Sequence, residues 1–367
     1  MRKGILAVAA IGAVALSGIA ACGSSSNNSG SSGGSTTSAK TPFVGVILPD
    51  TKSSARYETQ DTPNLTAAFK AAGVKATIQN AQGDPSTFQT IADSMLTQGV
   101  NVLIIDSLDS ASGTAVINKA KQQGVPVIDY DRLTAGGGAK YYVSFNNVAV
   151  GKLQGQGLQA CLTDAKATKP MVAELNGAPT DNNATQFAQG YNSVLDPLYA
   201  NGTYVKGPNQ SVPNWDNTQA GTIFEQMLTS HPQIKGVLVA NDGMANSVIS
   251  ILQKNKQKLP VTGQDATVQG LQHIMDGDQC MTVFKDTKKE ADAASQLAIA
   301  LAKGQTPSNA TDVTVDPTTK ANVPSVLLAP ELITIKNIND VVAAGGTTKA
   351  ALCTGAYVAK CTAAGVQ

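Results

Sequence analysis

Along the first half of the chain, apolar positions alternate between short continuous runs and helical stripes. Phe43 to Leu48 predicts a strand, and Leu65, Phe69 and Ala72 then mark a helix face that stops at Gly73. Phe88, Ile91, Ala92, Met95 and Leu96 fall at i, i+3, i+4, i+7 and i+8, one apolar stripe of a helix closed by Gly99. A buried strand follows at Val102 to Ile105. After a further helical stretch and Gly124, another strand runs from Pro126 into Asp129, Tyr130, Asp131 and Arg132. The glycines Gly136, Gly137 and Gly138 lead into a strand at Tyr141 to Phe145, not into a helix, so they lack the geometry of a dinucleotide-phosphate loop.

The same succession returns about 132 to 136 residues later. Ala220, Ile223, Phe224, Met227 and Leu228 repeat the stripe, and Val237 to Ala240 repeats the strand and ends in Asn241 and Asp242. A helix through Val248 and Ile251 leads to a strand expected from Pro260 into Gly263, Gln264 and Asp265. Alternation of this kind implies α/β architecture with parallel sheets and right-handed crossovers, and the repeat implies two such sheets. In open α/β sheets ligands sit beyond the carboxyl ends of the strands, where Asp131 and Asp265 both fall.

The ends of the chain change the picture. Arg2 and Lys3 precede an apolar run from Ile5 to Ile19, about 15 residues and short for a membrane span, so residues 1–21 read as an export signal. Ile19, Ala20, Ala21 and Cys22 resemble the lipobox of bacterial lipoproteins, which makes Cys22 the expected lipidation site and the outer face of the cytoplasmic membrane the expected location. Residues 23 to 40 are almost all Gly, Ser, Asn and Thr, a tether with a reach of roughly 25 Å. With 367 residues, 14% charged and a net charge of +1, the chain has room for two domains and no basic face for nucleic acid. Cys353 and Cys361 close a short loop and are expected to be bridged. Cys161 and Cys280 are either a second bridge or two buried thiols. His231 and His273 have no cysteine at ligand spacing and read as surface residues, so no metal is expected.

Asp106, Asp131, Arg132, Asn241, Asp242, Asp265 and Lys285 all follow apolar strands, an inventory suited to sugar hydroxyls, which donate to carboxylates and accept from cations and amides. The single tryptophan, Trp215, lies in a loop where it either covers a pyranose face or packs in the core. Paired acids raise the question of a glycosidase, but Arg132 beside Asp131 and the other cations and amides on the rim favour ionised carboxylates, and no nucleophile-elbow, P-loop or zincin motif occurs. An enzyme is therefore not expected.

Several segments in order carry a resemblance to a known family: Asp129-Tyr130-Asp131-Arg132, Ser144-Phe145-Asn146-Asn147, Pro179 to Ala184, Ala240-Asn241-Asp242, Gly263-Gln264-Asp265, Met281 to Lys285, and Val323-Pro324-Ser325 followed by Leu327-Leu328. From about Thr41 to Pro330 the chain resembles the type I periplasmic sugar-binding proteins of ABC importers, in their xylose-binding branch. The resemblance implies two doubly wound parallel-sheet lobes joined by a hinge, with 41–147 and 286–322 in lobe 1 and 148–285 and 323–367 in lobe 2. It implies that Arg56, Asp131 and Arg132 grip a monosaccharide from the first lobe, and Asp181, Asn183, Trp215, Asn241, Asp265 and Lys285 from the second. Xylose is the first expected ligand and glucose the second. The expected partners are a permease with its ATPase, on a monomer without cofactor; a sugar sensor feeding a membrane receptor is the alternative. The loop from Asp50 to Tyr57 departs from the branch, being a residue longer and carrying Tyr57 where a tryptophan is expected. The last 35 residues fall outside the resemblance.

Overall fold

A computed structural model describes residues 41–367. The export signal, Cys22 and the tether lie outside the described residues. Among the described residues twelve strands are formed. They are β1 (Phe43–Leu48), β2 (Lys75–Asn80), β3 (Val102–Ile105), β4 (Val127–Tyr130), β5 (Tyr141–Phe145), β6 (Met171–Asn176), β7 (Val205–Ser211), β8 (Ile234–Val239), β9 (Thr282–Phe284), β10 (Asp312–Val315), β11 (Asn322–Leu328) and β12 (Glu331–Ile333). One sheet has the order β10-β11-β5-β4-β3-β1-β2, a second the order β7-β6-β8, and β9 pairs with β12.

The first sheet is parallel except for β10. Every residue of β1, β3, β4 and β5 is buried, because helices cover both faces, which is why these strands read as apolar runs without alternation. One face packs on Phe88, Ile91, Met95 and Leu96 of the helix Pro85–Thr97, and the other on Leu65, Phe69, Leu297 and Ala298. Full burial of each such large side chain contributes about 1.5–3 kcal/mol. That helix starts where Asp84 accepts from the Thr87 amide (2.6 Å) with Pro85 in the first turn, and ends before Gly99 at φ +85°. Its counterpart, Asn217–Ser230, repeats the cap, with Asp216 accepting from Thr218 and Gln219, and buries Ala220, Phe224, Met227 and Leu228.

Two details differ from the sequence reading. The strand expected from Pro260 shrinks to a bridge between Val237 and Val261. Backbone bonds join the Val237 amide to Pro260 (2.9 Å) and the Thr262 amide to Val237 (3.2 Å), and beyond them the Thr262 hydroxyl accepts from the Val239 amide (2.8 Å) and donates to the Val239 carbonyl (3.0 Å), so side-chain bonds take over where the ladder stops. The crossing into lobe 2 expected at 322/323 comes later. Ser325, Val326, Leu327 and Leu328 lie opposite Tyr142, Val143, Ser144 and Phe145, so the apolar end of β11 belongs to the first sheet.

The C-terminal residues build a satellite core. Ile333, Ile338, Val341, Leu352 and Val366 pack on Leu271, Ile274 and Phe284, and a disulfide joins Cys353 to Cys361. A second disulfide joins Cys161 to Cys280, the pair the sequence left open. Among the described residues no helix is long and apolar enough to cross a membrane.

Candidate functional site

The repeat positions Asp131 and Asp265 share an unusual backbone. Asp131 has φ +58° and Asp265 φ +95°, each just past a strand or strand-like segment, and each donates its amide across to the next strand, to Val143 (2.9 Å) and Val283 (2.8 Å). Left-handed backbone at a residue other than glycine costs on the order of 1–3 kcal/mol and persists where the surroundings fix it. At Asp131 they do: its carbonyl accepts from Ser144 Oγ (2.7 Å), Asn183 Nδ2 (2.9 Å) and Tyr142 Oη (3.1 Å). The turn aims both carboxylates into the space between the sheets.

There the structure brings together Arg56, Asp131, Arg132, Asp181, Asn183, Trp215, Asn241, Asp265 and Lys285 around one cavity. Asp131 is its electrostatic centre. Its carboxylate accepts from Tyr57 Oη (2.8 Å) and Arg56 Nη1 (3.3 Å), and Lys285 Nζ stands at 3.9 Å. Burial opposes its charge, but Arg56, Lys285 and Arg132 together hold it well below the usual carboxylate range. Lys285 also faces Asp265 at 3.3 Å; burial alone would lower its pKa, and the two aspartates instead raise it. Burial pushes Asp106 and Asp181 upward against the pull of Arg132, whose Nε lies 3.5 Å and 3.2 Å from their carboxylates. An ionised Asp131 clamped by three cations is no general acid, so the arrangement binds polar groups rather than cleaving a glycoside.

Trp215 ends a turn in which Asn214 (φ +54°) and Trp215 itself (φ +55°) are left-handed. Its Nε1 donates to Asp181 (3.1 Å), and its ring meets Phe187 edge-on at 6.4 Å. The indole lies so close over Gly177 that a Cβ there would stand 2.1 Å from Cη2, so only glycine fits beneath it. Asn183 and Asn241 also do structural work. Asn183 ties Asp131 to Asn147 (2.9 Å), and Asn241 caps the helix Asp242–Lys254 through Met244 while its Nδ2 reaches the Ser53 carbonyl (3.3 Å).

Five lining residues were not singled out in the sequence as ligand-facing: Ser53, Ser54, Tyr57, Phe187 and Gln264. Signals existed for three. Phe187 is one helical turn after Asn183, Gln264 immediately precedes the strand-end Asp265, and Tyr57 adjoins Arg56. His273, expected as a plain surface residue, is half-buried beside Asp276 and Asp278; the Asp276 carboxylate is engaged by Lys360 and Tyr357, and that of Asp278 by Lys258.

Residues 44–306 match the family model of the periplasmic binding protein domain. The chain is 33% identical over 277 residues to a D-xylose-binding periplasmic protein of Haemophilus influenzae, covering 75% of this chain and 81% of that one. It is 34% identical over 324 residues to a multiple sugar-binding periplasmic receptor of Rhizobium radiobacter, covering 84% and 91%. An ABC transporter solute-binding protein of Clostridium phytofermentans solved with β-D-glucose superposes with a TM-score of 0.77 at 30% identity, over 84% of this chain and 99% of the other. Two α/β lobes enclosing a polar cavity, together with these matches, show that the chain belongs to the periplasmic binding protein family, has its type I fold, and is a binding protein rather than an enzyme.

Proposed function

We propose that the chain is the substrate-binding component of an ABC sugar importer, exported and held at the outer face of the cytoplasmic membrane by a lipid on Cys22. It takes one monosaccharide, D-xylose first and D-glucose second, between lobes made of residues 41–147 with 286–328 and 148–285 with 329–367. The observation that carries this reading is the cavity wall, where carboxylates, two guanidinia and an ammonium group line the same space as Trp215.

Asp131 and Asp265 accept from sugar hydroxyls, and Arg56, Arg132 and Lys285 donate to them. Trp215 covers an apolar C–H face of the ring. Contacts that span the cleft, Arg132 to Asp181 and Asn241 to Ser53, support a hinge that closes on the sugar and presents one closed form to a permease with its ATPase. The protein acts as a monomer without cofactor. The names of the relatives and the bound glucose in the solved neighbour support the sugar class.

Because Trp215 is the chain's single tryptophan, its emission is a direct test. Titration with D-xylose or D-glucose should change intensity or wavelength along a saturable curve; flat emission with both would contradict the reading. A sensing role at the same site is the second reading, favoured by the likeness to a sugar-binding receptor. Genes for a permease and ATPase beside this one support import, and a kinase gene without them supports sensing.

A further inference from the structure

Arg56 lines the cavity, yet most of its hydrogen bonds point away from it. A guanidinium has five N–H donors. Nε and Nη2 donate to the two oxygens of Asp61 (2.9 and 2.8 Å), Nη2 also donates to Glu290 Oε2 (2.5 Å), and Nη1 donates to Asp131 (3.3 Å). That leaves one Nη1 hydrogen, on the Asp131 side, for whatever occupies the cavity. Asp61 and Glu290 have side chains with no exposed area, and neither lines the cavity.

The two carboxylates come from different places. Asp61 ends the short helical turn Tyr57–Asp61 that begins beside Arg56, and also accepts from the Tyr130 hydroxyl. Glu290 arrives on the helix Thr287–Ala302, far along the chain. Among the described residues its other oxygen, Oε1, has no hydrogen-bond partner, and Arg56 is the one side chain that bonds Glu290. Burying two carboxylates against one guanidinium is a poor route to stability, since each must be desolvated. It is, however, a direct way to lock a planar donor in one orientation.

We propose that Asp61 and Glu290 are positioning residues for ligand recognition, fixing the plane of the Arg56 guanidinium so that its remaining Nη1 hydrogen faces the sugar, and acting on affinity only through Arg56. The proposal rests on the reading of the cavity as a sugar site. Burial pushes the Glu290 carboxyl upward against the pull of Arg56, and glutamine keeps its shape and an oxygen that accepts from the guanidinium, so it is the conservative replacement.

The test is a double-mutant cycle read by D-xylose and D-glucose titration of Glu290→Ala, Glu290→Gln, Arg56→Ala and the Arg56→Ala/Glu290→Ala pair. Glu290→Ala should weaken binding about 10- to 100-fold, the scale of a hydrogen bond to a charged group, and Glu290→Gln should stay within about 3-fold of the wild type. The double variant should bind no more weakly than Arg56→Ala alone. Wild-type affinity in Glu290→Ala, or losses that multiply in the double variant, would overturn the proposal. If the wild type binds neither sugar, the sugar reading fails on its own. The crystal structure of Glu290→Ala then decides: Arg56 turned from its present place supports the positioning role, and Arg56 unmoved overturns it.

Discussion

Arg132 and Asp181 stand 3.2 Å apart, Nε to Oδ2, in an ion pair laid across the cleft from the end of β4 to the loop after β6. The same carboxylate oxygen accepts the Trp215 indole N–H, so closure and the aromatic wall share one anchor. Asp181→Asn keeps a side chain able to hold Trp215 but removes the charge. It should raise the dissociation rate of bound sugar about 10-fold or more while leaving association little changed, since truncating buried charge pairs acts mainly on release. Stopped-flow Trp215 emission measures both rates, and an unchanged dissociation rate would count against the pair as a closure contact.

Trp215 itself should be an affinity residue. Trp215→Ala is expected to weaken binding by about 1–3 kcal/mol, measured by calorimetry, with the fold retained by circular dichroism. Gly177→Ala is the complementary test: the added methyl collides with the indole, so stability should fall by about 1–3 kcal/mol and sugar affinity should fall with it. Wild-type affinity in both variants would place Trp215 outside the site.

Stability should decline from mildly acidic to mildly basic pH. Burial raises Glu290 to about 8 and Asp129 and Asp242 to about 7, from ordinary values of 4.5 and 3.8. Between those limits the folded state holds protons that the unfolded chain has released, so the unfolding free energy drops as pH rises. The melting temperature should therefore be higher near pH 5.5 than near pH 8, and Glu290→Gln should flatten the upper part of that slope. A melting temperature that rises over this range would contradict the burial of these groups.

For the anchor, Cys22→Ser should move the protein from the membrane to the soluble fraction, as expected for a chain attached by lipid alone. Continued membrane association of that variant, followed by fractionation and blotting, would refute lipidation at this residue.

Much of this molecule was legible because its logic is local. The stripe at Phe88 to Leu96 and its repeat at Ala220 to Leu228 gave two sheets, and the strand-end positions of Asp131 and Asp265 gave the rim of the site. What escaped depends on partners far apart in the chain. Nothing near Glu290 in sequence signals that Arg56 will meet it, because a helix from late in the chain makes that contact. Thr262 looks like a strand residue, yet the ladder stops at its amide and its hydroxyl makes the next pair of bonds, to Val239. The last strand of the first sheet, β11, was cut short for the same reason: its partner β5 lies far upstream.

The central claim is a monosaccharide bound between the two lobes, and isothermal titration calorimetry of the mature protein against pentoses and hexoses tests it most directly. One site is expected for D-xylose or D-glucose, with a dissociation constant in the micromolar range or tighter, lost in Asp131→Asn because Arg56 and Lys285 then face no charge at that position. No binding heat with any monosaccharide in the panel, or full binding by Asp131→Asn, would contradict the account.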